Sequence, residues 1–279
     1  MKIYAVIGTP LSHSLSPRLH QAVFKRLGLP YLYIPWEVKQ GQLKCALDMF
    51  RQNLAGFNVT APHKEDIIPF LDGLDFSAEL YGAVNTVKNE AGRLLGYNTD
   101  GAGFLEGLKQ VQYEIGGKEV LILGAGGAAQ TIAFELAHQG CSLTIANRTA
   151  DRAQRLALRL ERKFPGLKAG AVGLSRIPRK KYDCVLNATS LGRGELGGET
   201  PLHSQYLGQA ELVYDLNYNP AQSKLLQLGQ IMGAKTINGL PMLIYQGLKA
   251  EEIWLGRAFS SQESEQIYAG LKGELSAND

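Results

Sequence analysis

One lysine and one aspartate, Lys64 and Asp100, stand among short hydroxyl and amide side chains in the first hundred residues. The relevant runs are Ser12-His13-Ser14-Leu15-Ser16-Pro17, Asn58-Val59-Thr60-Ala61-Pro62-His63-Lys64, Asn85-Thr86 and Asn98-Thr99-Asp100. Together they offer hydroxyls, amides, one ammonium and one carboxylate, a set suited to a small polyhydroxylated acid. The hydroxyls of Ser14 and Ser16 can bond a carboxylate. Asn85 and Asp100 can fix ring hydroxyls, and Lys64 can give or take a proton. Each residue also has a plainer use. Ser14 and Ser16 can be loop and cap residues ahead of Pro17, Lys64 a solvated lysine at a helix start, and Asp100 a helix cap. His13 and His63 read better as loop histidines with local hydrogen bonds than as catalytic groups. The chemical reading rests on the set.

A second chemistry sits mid-chain. Glu119-Val-Leu-Ile-Leu-Gly124-Ala125-Gly126-Gly127-Ala128-Ala129 runs an apolar strand into Gly-x-Gly-x-x-Ala, and a helical pattern follows. A strand, tight turn and helix N-terminus in that order cradle a dinucleotide pyrophosphate. Gly124 permits the turn, Gly126 lets the backbone approach phosphate, and Ala129 keeps helix and strand close. The next strand ends in Ala146-Asn147-Arg148-Thr149, with Arg152 after it. An acid at that end would bond a ribose 2′-hydroxyl, whereas arginine binds a 2′-phosphate. The expected cofactor is therefore NADP(H). The plainer alternative makes Arg148 and Arg152 solvated residues at a helix start.

These groups need elements to hold them at the carboxyl ends of strands, where the crevice of an open parallel sheet lies. Strand patterns at Ile3–Gly8, Tyr31–Val38 and Gly56–Thr60 alternate with helical ones at Pro17–Leu27 and Gln42–Phe50. Thr60 is placed to cap the helix that carries Lys64. Ala83–Lys88 and Arg93–Tyr97 flank Asn89-Glu-Ala-Gly92, a hairpin turn. A helix over 101–111 leads into the glycine turn. Then come a helix at 127–139, a strand at 142–146, a helix at 150–163, and strands at 184–188 and 212–216. Residues 240–271 have a helical pattern and are expected to pack onto the first domain, and the glycine-rich 191–198 is the candidate mobile loop. The fold class expected is α/β. A substrate-binding domain with a mostly parallel sheet covers 1–100 and is joined by helices from 240–279. A Rossmann-like NADP-binding domain covers 101–239, and a cleft separates the two.

Composition narrows the partners. The chain has 279 residues, 45% of them hydrophobic, with 29 basic against 26 acidic side chains. That suffices for two cores, and the weak, scattered charge gives no reason to expect nucleic acid. Three cysteines without a Cys-x-x-Cys argue against a disulfide framework or a metal site, so no metal is expected. No signal-peptide pattern or membrane-length apolar run is present, which points to a cytoplasmic protein away from the membrane. Oligomeric state is left open, a homodimer included.

The resemblance is now specific. Gly8-Thr-Pro-Leu-Ser-His-Ser-Leu-Ser-Pro17, Gly56-Phe-Asn-Val-Thr-Ala-Pro-His-Lys64, Gly82-Ala-Val-Asn-Thr86 and Gly96-Tyr-Asn-Thr-Asp-Gly101 are similar to segments of shikimate dehydrogenases. So are Gly124-Ala-Gly-Gly-Ala128, Asn147-Arg-Thr149, Asn187-Ala-Thr-Ser190, Asp215-Leu-Asn-Tyr-Asn-Pro220 and Gly239-Leu-Pro-Met-Leu243 with Gln246. They fall in the family's order and cover most of the chain. The family reduces 3-dehydroshikimate to shikimate with NADPH, on the route to chorismate and the aromatic amino acids. The resemblance implies that Ser14 and Ser16, helped by Tyr218, hold the substrate carboxylate. By the same resemblance Thr60, Asn85, Asp100 and Gln246 hold ring hydroxyls, and Lys64, paired with Asp100, is the acid/base. It gives the cofactor to Gly124, Ala125, Gly126, Gly127, Ala128, Asn147, Arg148, Thr149 and Arg152, with Leu216 and Gly239 near the nicotinamide. Tyr97 departs from the family, many of whose members carry a smaller residue there. One other reading stays open, a quinate/shikimate dehydrogenase of broader range or NAD use; a non-catalytic nucleotide sensor is disfavoured, since it would need the 124–129 turn but has no reason to keep Lys64 and Asp100 in a hydroxyl-binding array. A serine hydrolase is disfavoured, since no Gly-x-Ser-x-Gly occurs.

Overall fold

In the computed structural model, residues 1–196 and 198–276 are described. Gly197, inside the expected loop 191–198, and residues 277–279, at the end of the C-terminal helical segment, lie outside them. The chain divides into two compact units. One comprises Met1–Gly103 with the segment from Leu243 onward, and the other Phe104–Met242.

The first unit is built from β1 (Ile3–Gly8), α1 (Ser16–Arg26), β2 (Leu32–Glu37), α2 (Leu43–Asn53), β3 (Gly56–Val59) and α3 (His63–Asp66). There follow β4 (Gly73–Leu74), α4 (Phe76–Tyr81), β5 (Thr86–Glu90), β6 (Arg93–Tyr97) and the start of α5 (Asp100–Lys109). Its sheet runs β2-β1-β3-β5-β6-β4. Pairing is parallel across β2, β1 and β3, then antiparallel at β3–β5 and β5–β6. In β1 the two-residue period splits the apolar residues. Ala5 and Ile7 join Phe50, Phe57 and Val87 in one core, while Tyr4 and Val6 join Phe24, Tyr33 and Trp254 in another. Both faces are covered, which is why the strand reads as a continuous apolar run. The β5–β6 turn has Ala91 and Gly92 at φ of 52° and 92°, the left-handed pair that suits a two-residue hairpin.

The second unit continues α5 and adds β7 (Glu119–Leu123), α6 (Gly127–His138), β8 (Ser142–Asn147), α7 (Ala150–Lys163) and β9 (Ala169–Gly173). It ends with β10 (Cys184–Asn187), β11 (Leu212–Asp215), α8 (Lys224–Ile231) and β12 (Lys235–Ile237). The sheet order is β12-β11-β10-β7-β8-β9, parallel throughout. The order reverses between β7 and β10, and a doubly wound sheet binds its ligand at such a switch point. Leu121, Leu123, Val185 and Val213 line one buried face with Leu225 and Leu226 of α8.

The C-terminal pattern resolves into α9 (Leu240–Leu255) and α10 (Ser261–Ser276), broken at Gly256 with φ of 68°. Trp254 of α9 donates its indole N–H to the Val87 carbonyl and fills the core beside Tyr4. Thr60 does not cap the helix of Lys64. No side chain caps α3, which starts beyond Pro62, and the Thr60 carbonyl accepts from the His63 amide.

Candidate active site

Lys64 lies on the one-turn α3, just after β3. Its Nζ donates to Asp100 Oδ2 at 2.6 Å, with 23% of the lysine side chain and 10% of the aspartate side chain exposed. The other Asp100 oxygen accepts from Asn85 Nδ2 at 2.8 Å. Asn85 is itself fixed. Its Oδ1 accepts from the Thr99 amide and the Thr86 hydroxyl, and its backbone carbonyl accepts from Asn58 Nδ2. Asp100 has both oxygens engaged at the first residue of α5, so its carboxyl group cannot swing freely. The ammonium is the exposed end of a buried polar chain and keeps donor capacity for a ligand.

Around this centre the unit gathers most of the residues expected to hold substrate. Gln246 of α9 brings Oε1 to 3.5 Å from the Thr99 hydroxyl and anchors Nε2 on the Leu243 carbonyl at 2.8 Å. Thr60 follows β3 and is half-buried. Ser14 and Ser16 flank the start of α1, where Ser14 Oγ accepts weakly from the Ser16 amide at 3.4 Å. No side chain caps α1, so these serines are not its caps and their hydroxyls remain available to a ligand. His63 is buried, with Nε2 at 2.7 Å from the Val38 carbonyl, and serves to fix the loop after β2. Tyr218 belongs to the other unit, just beyond β11.

The glycine turn fits a dinucleotide. Gly124 has φ of 110°, and a Cβ there would sit 3.0 Å from the Ala188 carbonyl oxygen, so the switch point closes only around glycine. At Gly126 and Gly127 a Cβ would meet nothing within 4 Å, and both residues with Ala128 are exposed at the N-terminus of α6. Ala125 is half-buried beneath them. An open helix N-terminus of this kind accepts phosphate through its free amides. At the end of β8, Asn147 donates Nδ2 to the Thr149 carbonyl at 2.9 Å and shapes the turn. Arg148 and Arg152 project as exposed side chains, and neither forms an ion pair among the described residues.

Sequence reasoning passed over one device in this unit. Asp215 ends β11 fully buried. Its Oδ1 accepts from Asn187 Nδ2 and from both the backbone and side-chain nitrogens of Asn217, at 2.9–3.0 Å. Its Oδ2 accepts from the Ser223 hydroxyl at 2.5 Å. Burial pushes this carboxyl above the usual range, and the hydrogen bonds pull it back. Asn217 also donates to the Thr189 and Leu191 carbonyls, so one carboxyl group ties the segment after β10 to the segment after β11. The available signal was Asn187-Ala-Thr189, where an asparagine side chain accepts from the amide two residues on. Among the described residues no cluster of His, Cys, Asp and Glu could hold a metal, and no helix is long and apolar enough to cross a membrane.

Comparison with known proteins agrees across the chain. Residues 6–87 match the family model of the shikimate dehydrogenase substrate binding domain, and residues 106–192 that of shikimate / quinate 5-dehydrogenase. A shikimate dehydrogenase (NADP(+)) of Moorella thermoacetica is 45% identical over 91% of this chain and 88% of its own. A crystal structure of a shikimate dehydrogenase in complex with NADP+ superposes with a TM-score of 0.88 at 38% identity, covering 97% of this chain and 95% of the other. The ligand-free 5-ketofructose reductase of a Gluconobacter strain superposes with a TM-score of 0.85 at 36% identity, covering 97% and 98%. Two family models covering most of the chain, and a relative this similar over nearly its full length, place the protein in the shikimate dehydrogenase family.

Proposed function

We propose that the protein catalyses the reversible NADPH-dependent reduction of 3-dehydroshikimate to shikimate, a step toward chorismate and the aromatic amino acids. The observation that carries the reading is the Lys64–Asp100–Asn85 array: an ammonium held at the open end of a buried hydroxyl- and amide-binding network. The name of the Moorella relative supports both the substrate and the coenzyme. A ketose reductase on the same fold at 36% identity means that fold alone does not choose the substrate.

Gly124 to Ala128, Asn147 to Thr149 and Arg152 would hold the coenzyme, with Leu216 and Gly239 toward the nicotinamide. Bound there, NADPH would supply a hydride to the C3 carbonyl carbon. The residues of the first unit do the rest. Ser14 and Ser16 hold the carboxylate, aided by Tyr218, while Thr60, Asn85, Asp100 and Gln246 receive the ring hydroxyls. As the carbon gains hydride, the carbonyl electron pair moves onto oxygen. Lys64 stabilises that charge and delivers the proton that completes the alcohol. In the reverse direction the neutral amine takes the proton back. Asp100 aims the ammonium through its fixed hydrogen bond.

The test is spectrophotometric. Shikimate or quinate is mixed with NADP or NAD, and the absorbance of the reduced coenzyme is followed. Shikimate with NADP is expected to give the highest kcat/KM of the four pairs. Absence of turnover with shikimate and either coenzyme would remove the proposal, while quinate turnover equal to that of shikimate would favour the broader enzyme.

Coenzyme choice is assigned to Arg148, which stands where an acid would bind an unphosphorylated ribose. Exchanging Arg148 for alanine removes a charge-assisted contact, worth about 1.5–3 kcal/mol for a hydrogen bond to a charged group. The KM for NADP should rise by about tenfold or more on that account, with the KM for NAD unchanged within about twofold. An unaltered NADP-to-NAD ratio would return Arg148 to the solvent. We assign the protein to the cytoplasm, supported by cysteines that are all unpaired. A homodimer is the assembly proposed with it, to be decided by light scattering.

A further inference from the structure

We infer that Tyr33 is a positioning residue that aims Asn58 and, through it, the array holding the substrate hydroxyls. The inference rests on the shikimate reading above. Tyr33 sits in β2 with only 5% of its surface exposed, in a strand position that otherwise serves the core. Its hydroxyl donates to Asn58 Oδ1 at 2.6 Å. Asn58 then donates through Nδ2 to the Thr86 hydroxyl at 3.0 Å and to the Asn85 carbonyl at 3.1 Å. The Thr86 hydroxyl donates to Asn85 Oδ1 at 2.8 Å, and Asn85 reaches Asp100 and so Lys64. The result is one unbroken chain of hydrogen bonds, Tyr33–Asn58–Thr86–Asn85–Asp100–Lys64.

The phenol ring is held from beneath. His20 of α1 stacks on it with ring centres 4.3 Å apart and planes 14° from parallel. His20 is in turn bound through Nδ1 to Glu251 of α9 at 2.6 Å, with both side chains wholly buried. A buried imidazole–carboxyl pair is costly to desolvate and is a poor way to fill space, where an apolar pair would pack as well. Here it fixes one face of the Tyr33 ring and hence the direction of its hydroxyl. Core packing alone would be served by phenylalanine. The hydroxyl is needed because Asn58 must present its oxygen to a donor in order to aim its amide at Asn85 and Thr86.

The test is Tyr33→Phe, which keeps the stacked ring and deletes the link, in a protein first shown to oxidise shikimate with NADP. An inactive parent would end the functional reading itself, an outcome separate from any effect of the substitution. With an active parent, the KM for shikimate should rise about tenfold, the scale of one buried hydrogen bond with its orphaned partner, while the KM for NADP stays within about twofold. Combined with Asn58→Ala, the loss should be smaller than the product of the two single losses, because both variants cut the same link. A shikimate KM within about twofold of the parent, or single losses that multiply, would overturn the inference. So would a parallel rise in both Michaelis constants with a large fall in Tm, which would assign Tyr33 a merely structural part.

Discussion

Exchange of Lys64 for alanine is expected to lower turnover by about 10²–10⁴, the span of lost acid–base assistance, with the KM for shikimate changed only a few-fold. Among the described residues, this ammonium is the only basic side chain hydrogen-bonded into the network of Asn58, Asn85, Thr86, Thr99 and Asp100. Carbonyl reduction puts negative charge on oxygen late in hydride transfer, so a positioned cation acts mostly on the transition state. Binding depends instead on the serines, the amides and Asp100, and these survive the exchange. Asp100 keeps its bond from Asn85 at 2.8 Å, so its carboxyl group stays in place when the ammonium goes. The measurement is kcat and KM by reduced-coenzyme absorbance, with Tm recorded beside it. A variant whose turnover lies within a factor of a few of the parent would take Lys64 out of proton transfer altogether. Lys64→Arg separates charge from proton donation, since a guanidinium keeps the cation but yields its proton far less readily.

Range along the chain decides which features are legible in the sequence. Apolar runs long enough to be covered on both faces, such as Ile3–Gly8 and Glu119–Leu123, announce themselves as strands. Turns with chemical necessity, such as Gly124 and the Ala91–Gly92 hairpin, are equally plain. Sequence reading missed β9, whose Ala-Gly-Ala-Val-Gly has a single branched residue and pairs only at an edge, and β12, three residues long. It also missed α8 despite its Ser223 cap, because that serine binds Asp215 as well and sits in a loop-like run. The helix of Lys64 begins past Thr60, with Pro62 at its N-cap, and makes only a single turn. At the site, the short polar runs at strand ends were readable because their residue types match one ligand. Tyr33, His20 and Glu251 were not, since an aromatic in a strand and a histidine in an apolar helix face look like ordinary core. Only the fold brings a residue at 251 beside one at 20.

Replacing Gly239 by alanine should cut kcat/KM by about a hundredfold, most of it through the coenzyme side, the cost of about 1 Å of misplacement in a reacting geometry. A Cβ at Gly239 would lie 1.9 Å from the Leu216 carbonyl oxygen and 2.6 Å from its carbon, both rigid backbone. Neither partner can step aside cheaply. The Gly239 amide donates to the Asn217 carbonyl at 3.0 Å, and the Leu216 amide donates to the Asn187 carbonyl at 2.9 Å. Asn217 and Asn187 are in turn bound to the buried Asp215 carboxyl group. The added methyl must therefore displace the segment after β11 against a network that resists it, an overpacking cost of about 1–3 kcal/mol in stability. Leu216 and Gly239 are the pair assigned to the nicotinamide, so the displacement falls on hydride position. The KM for NADP should rise with the drop in kcat, whereas shikimate binding measured without coenzyme, which loses at most the help of Tyr218 in the displaced segment, should weaken only a few-fold. A Gly239→Ala enzyme with kcat/KM within threefold of the parent would mean that this backbone contact yields without consequence and that the nicotinamide lies elsewhere. Loss of shikimate binding well beyond a few-fold, measured without coenzyme, would show instead that the damage reaches the first unit.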